Sequence, residues 1–154
     1  MNDQNFSSLM NMSILSVNNL VVKEDNHEIV IDDSIILETD KGLVQIFNDY
    51  NSIKIININS VSKAKIWDSF NADDVEILVR KEISIMNNDD ITEIFNYSYD
   101  SSYFFGTKCL SSNGHYVVGF CYGFDEMNYV NESDFESLLS KYDKTRVNIR
   151  HIKM

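Results

Sequence analysis

The stretch that most constrains the fold runs from Tyr103 to Gly123, YFFGTKCLSSNGHYVVGFCYG. Two runs rich in aromatic and β-branched residues flank Asn113-Gly114. Asn-Gly between such runs is the strongest local hairpin signal, because a type I′ turn needs positive φ at both central residues. With Asn113 and Gly114 as the loop, Ser112 faces His115, Leu110 faces Val117, Lys108 faces Gly119 and Gly106 faces Cys121. Side chains alternate across a sheet. One face then carries Tyr103, Phe105, Thr107, Cys109, Tyr116, Val118, Phe120 and Tyr122, an aromatic face expected in the core. The other carries Phe104, Gly106, Lys108, Leu110, His115, Val117, Gly119 and Cys121, and lies under a helix or partly in solvent. Cys109 and Cys121 point to opposite faces in this register, which excludes a bridge between them.

The rest of the chain reads as further strands and hairpins. NFSSLMN (5–11) predicts a short helical turn with Phe6, Leu9 and Met10 inward. Ser13 to Val22 predicts a strand with an irregular middle at Asn18-Asn19, followed by a turn at 24–26. A strand begins at Glu28 and is interrupted at Asp32-Asp33. Residues 34–49 predict a second hairpin, with Gly42 left-handed after Asp40-Lys41. Ser52 to Ile58 alternates as a strand, Val61 to Trp67 reads as one more short strand, 68–74 as a loop, and Val75 to Met86 as a long or bent strand. Asn87-Asn88-Asp89-Asp90 supplies caps ahead of Ile91, Ile94 and Phe95 at helical spacing, which predicts a short helix over 89–96. Residues 124–130 read as a turn. Phe135, Leu138, Leu139 and Tyr142 then form one apolar stripe, predicting an amphipathic helix over 132–144. Either Asn131 or a Ser133–Glu136 capping box would open it. Val147 and Ile149 suggest a last, basic edge strand. The expected fold is α+β: β-rich, mostly antiparallel, built from hairpins, with those two helices. Proline is absent and no linker interrupts the pattern, so 1–154 reads as a single domain. Hairpins 34–49 and 103–123 form a weak repeat, for which two unrelated hairpins is the favoured explanation.

Composition narrows function. The chain carries 24 acids against 13 bases, a net charge of −11. Residues 1–140 hold 23 acids and 8 bases, or −15, whereas 141–154 hold 5 bases and 1 acid, or +4. Such a charge disfavours nucleic acid and anionic membranes as partners. No apolar run approaches the length of a membrane span, and MNDQNFSSLM lacks the basic start and apolar core of a signal peptide, so the expected location is cytoplasmic. His27, His115 and His151 are far apart and form no metal spacing. Cys-x-x-Cys, a Gly-rich phosphate loop and a nucleophile elbow are all missing. No enzyme activity, metal or cofactor is expected. Acid pairs recur, and Asp89-Asp90 reads as capping. Asp73-Asp74 and Asp125-Glu126 are harder to assign to capping. Asp125-Glu126 follows Tyr122 at the end of the central hairpin, and an acid pair beside aromatics is the composition of a contact for a basic partner. Asp73, Asp74, Tyr122, Asp125 and Glu126 are therefore the candidate partner-binding residues, with ordinary solvated turns as the competing explanation.

The segment LMNMSILSVNNLVV, followed by SIILETDKGLVQIFND, in a short, acidic, proline-free and Asn/Ile-rich chain resembles bacterial immunity proteins of toxin–immunity systems, including those of contact-dependent growth inhibition. The resemblance is one of type, covers about the first third of the chain, and transfers no residue roles. It implies a protein that binds and neutralises a cognate toxin domain. Nuclease toxins tend to be basic, and an acidic inhibitor would be steered to one. The alternative is a small-ligand or regulatory domain using a pocket between sheet and helix.

Overall fold

The computed structural model describes residues 4–49, 52–85, 89–123 and 126–153. Among these residues ten strands form two antiparallel five-stranded sheets. The first holds β1 (Ile14–Glu24), β2 (His27–Thr39), β3 (Gly42–Asp49), β4 (Ser52–Ile58) and β5 (Glu76–Ser84), in the order β4-β3-β2-β1-β5. The second holds β6 (Ile91–Tyr99), β7 (Tyr103–Ser111), β8 (Tyr116–Gly123), β9 (Glu126–Val130) and β10 (Val147–Lys153), in the order β10-β6-β7-β8-β9. A single α-helix among the described residues, α1 (Glu132–Ser140), joins β9 to β10.

The two sheets share one connectivity. Each is a four-strand meander whose fifth strand returns to pair with the first. Hairpins 34–49 and 103–123 occupy the same place in the two halves, as second and third strands. Each return segment covers the outer face of its own sheet. In the first half, Ala64, Ile66, Trp67 and Phe70 pack on Leu20, Val22, Ile31 and Ile36. In the second, Phe135, Leu138, Leu139 and Tyr142 pack on Tyr97, Phe105 and Val130. The inner faces meet in the main core, where Ile14, Val17, Ile35, Leu37 and Ile46 face Ile94, Cys109, Val118 and Phe120. A 3-10 turn at Gln4–Leu9 adds Phe6 and Leu9, both fully buried. The segment after it ties to the second sheet: Asn11 N donates to Ile91 O at 2.8 Å and Ile91 N to Met12 O at 2.9 Å.

Bulges decide which side chains meet. Asn19 pairs with Ile35 but Leu20 with Ile31, so Asp32, Asp33 and Ser34 leave the ladder with β1. The expected interruption at Asp32-Asp33 is thus a wide bulge within one continuous β2. Asn18 is buried beside it, its Nδ2 donating to Ser16 Oγ and Ile36 O, both at 3.1 Å.

Several sequence expectations are corrected. The helix expected over 89–96 is strand β6. Thr92 is an extra residue between Ile91, paired with Ser111, and Glu93, paired with Leu110. That bulge puts Ile91 and Ile94 on one face three residues apart, a spacing that imitates a helix. Residues 61–67 are a 3-10 turn (Val61–Lys63) and an extended run, not a strand of either sheet. Residues 126–130, expected as a turn, form β9. The helix expected over 132–144 ends at Ser140, because Asp143 caps a new 3-10 turn by accepting from Thr145 N at 3.0 Å. Asn131 opens α1, accepting from Asp134 N at 2.9 Å. The strand expected over 75–86 is β5, ending at Ser84, with Met86 outside the described residues.

The central hairpin keeps its expected pairs Lys108–Gly119 and Gly106–Cys121 but not its turn. Gly114 alone in the turn has positive φ, 73°, and Gly114 N donates to Ser111 O at 2.9 Å. Ser112 and Asn113 are therefore the central residues, Ser112 does not face His115, and Leu110 pairs with Tyr116, leaving Val117 as an extra residue. Phe105 is a second bulge, between Phe104, paired with Ser98, and Gly106, paired with Tyr97. Phe105 and Tyr116 consequently face α1, while Phe104 and Val117 face the core, the reverse of strict alternation. Tyr103, placed on the core face by alternation, is exposed. Cys109 lies in the main core and Cys121 on the helix side, both free thiols.

Candidate functional site

Of the five candidate residues, the four that the structure describes do not form one site. Tyr122 is buried, its ring stacked on Phe104 at 4.8 Å between centroids and tilted against Phe6 at 6.1 Å. Its side chain belongs to the core, because β8 sends Phe120 and Tyr122 inward together. Glu126 is exposed at the start of β9, opposite Gly123. Asp125 lies outside the described residues. Asp73 and Asp74 are exposed in the first return segment, in a turn organised by Asn71. Asp74 N donates to Asn71 O at 2.9 Å, Asp73 N to Asn71 Oδ1 at 3.2 Å, and Asn71 Nδ2 to Asp74 Oδ2 at 2.9 Å.

That same segment builds a site that sequence reasoning missed. As it crosses the first sheet it is held by Gln45, a fully buried β3 side chain. Gln45 Oε1 accepts from Lys65 N at 2.7 Å, and Nε2 donates to Lys65 O at 2.8 Å and Ser34 Oγ at 2.9 Å. The amide thus pairs with the passing backbone as a neighbouring strand would. Two residues on, Trp67 Nε1 donates to Asp33 Oδ1 at 2.9 Å, and the indole stacks on Phe70 with centroids 5.8 Å apart and planes 11° apart. The wide bulge of β2 presents Asp33 to the indole.

Between this segment and the sheet lies a cleft of about 480 Å³. Ile31, Phe47, Ile66 and Trp67 supply its apolar lining, and Asp33, Asp49 and Asp68 its carboxylates. Lys65 is the cation on the lining, and Lys54 Nζ reaches Asp49 at 3.1 Å from outside it. Asp68 is exposed and has no hydrogen-bond or ion-pair partner among the described residues. Asn48 contributes to the lining as well, but its side chain lies on the face of β3 that carries Ile46, away from Gln45 and Phe47, where Oδ1 is shielded from solvent and lacks a partner among the described residues. Such a shielded acceptor is costly to leave unmade. The sequence signal was slight: the only tryptophan, next to an acid.

Other chemistry is already engaged. A second depression near Asp89, Asp90 and Glu93 has its acids occupied. Ser13 Oγ donates to Asp90 at 2.9 Å, and Glu93 lies 3.4 Å from Lys153 and 3.6 Å from His151. Burial pushes the Cys109 thiol up to about 12 and raises that of Cys121, so neither is poised as a thiolate. Among the described residues no group of three or more His, Cys, Asp or Glu is placed to hold a metal ion. In the space between the second sheet and α1, where a ligand pocket was expected, Phe135 packs with its ring 3.2 Å from where a Cβ would stand on Gly106 and 3.1 Å from the equivalent point on Gly119.

Comparisons with protein-family models, curated proteins and solved structures return no match. Among the described residues no helix is long and apolar enough to cross a membrane.

Proposed function

We propose that the protein is an immunity-type inhibitor that binds and neutralises a cognate basic toxin domain, of nuclease type. The observation that supports this reading most is the Trp67 cleft. An aromatic wall edged by three carboxylates, in a chain of net charge −11, has the composition of a docking point for a basic protein. A net charge of −11 speeds encounter with such a partner, and the aromatic lining supplies contact area once docked.

Binding to any toxin domain encoded beside this gene tests the reading. The expected result is a complex whose association rate falls roughly tenfold or more between low and high salt. Absence of binding, or association indifferent to salt, rejects it. One observation favours a second reading. At about 480 Å³ the cleft falls within the range of small-molecule sites, so it suits a ligand-binding or regulatory domain. A thermal-shift screen with metabolites would support that reading if one compound raised the melting temperature and changed Trp67 fluorescence.

A further inference from the structure

From the lining of the Trp67 cleft we infer that it receives the guanidinium of an arginine presented by the protein partner. This rests on the inhibitor reading and names the group that reading requires at this point on the surface.

Three features converge on that group. The lining carries three carboxylates against one cation, so its net charge is negative. Asp68 has no partner among the described residues, which leaves one carboxylate able to take a new ion pair without breaking another. The walls are Ile31, Phe47, Ile66 and the half-buried Trp67 indole. They match the aliphatic stem of an arginine and the flat head that stacks on an aromatic ring. An ammonium would satisfy the charge but not the planar stacking. An acidic or neutral group would leave Asp68 unpaired. Asp33 holds Trp67 in place, and the indole it holds is the surface on which the guanidinium would lie.

Trp67 is the only tryptophan, so its indole N–H resonance and fluorescence report on this cleft alone. The probe is Nα-acetyl-arginine methylamide, with the citrulline analogue as a neutral isostere. Arginine is expected to shift the indole resonance saturably at millimolar concentration, about fivefold more weakly in 0.5 M salt. Asp68→Asn, an exposed change that leaves the fold intact, is expected to weaken the response by about fivefold. Citrulline is expected to give no saturable shift. Absence of saturation by roughly 50 mM arginine overturns the assignment, and so does an equal response to citrulline. With the toxin domain as titrant, unchanged affinity in both Asp68→Asn and Trp67→Phe overturns this cleft as the arginine site and leaves the inhibitor reading standing. A Trp67 that answers arginine in a protein that binds no such toxin overturns the inhibitor reading and supports the guanidinium chemistry.

Discussion

At the scale of single residues, two glycines decide whether α1 can dock. A Cβ on Gly119 would stand 1.9 Å from Tyr116 Oη and 3.1 Å from Phe135 Cδ2. The Tyr116 hydroxyl cannot simply swing away, because it donates to Val130 O. Phe135 is fully buried against the same spot. Gly119→Ala should therefore destabilise by about 2 kcal/mol through overpacking, read as a lower urea midpoint. Gly123 has nothing within 4 Å of its Cβ position, and Gly123→Ala should stay within about 0.5 kcal/mol of the parent. Equal losses in the two variants would mean that strand propensity, and not the fit under Phe135, sets the cost.

At the scale of elements, a side chain replaces a strand. The first return segment lies over β2 and β3 without a ladder of its own, and the Gln45 amide satisfies both backbone groups of Lys65. Gln45→Ala should cost about 3 kcal/mol, combining a buried cavity with unpaired polar groups. It should also free the segment, so that Trp67 fluorescence moves to the red before the rest of the protein unfolds. A single unshifted transition would show that apolar packing alone holds the segment. This is also the scale at which the sequence was partly legible. Strands β1 to β5, the cap of α1 and the basic edge strand β10 follow from alternation, turn residues and helical spacing. The errors cluster at bulges. Thr92 turned a strand into an apparent helix, and Phe105 and Val117 each exchanged the faces of their neighbours. An extra residue in one strand leaves no compositional mark, yet it reverses every inward and outward assignment beyond it. The Trp67 cleft was illegible for a related reason. Its lining comes from the bulge of β2, the end of β3 and a segment that belongs to neither sheet. Among the acids picked out from the sequence, Asp73 and Asp74 lie on the segment that carries Trp67, yet Asn71 engages them in a turn of their own.

At the scale of the whole molecule, stability rests on the surface where the two sheets meet. Cys109 lies there, completely buried, whereas Cys121 is half-buried on the helix side. In a Cys121→Ser variant, alkylation of Cys109 should proceed only through global opening, roughly 10⁴-fold slower than in the unfolded chain. Its dependence on urea should match that of complete unfolding. Fast labelling under native conditions would show instead that the sheets separate while each stays folded. The shared connectivity gives this surface a further meaning. Each half pairs its own first and fifth strands and covers its own outer face, so its backbone bonding is nearly complete without the other. What each half lacks alone is a cover for its inner face. The chain between Ser84 and Ile91 keeps that cover close at hand, at an effective concentration fixed by a few residues of backbone and not by how much protein a cell makes. In thermodynamic terms the molecule behaves as a dimer whose subunits were never free to leave each other.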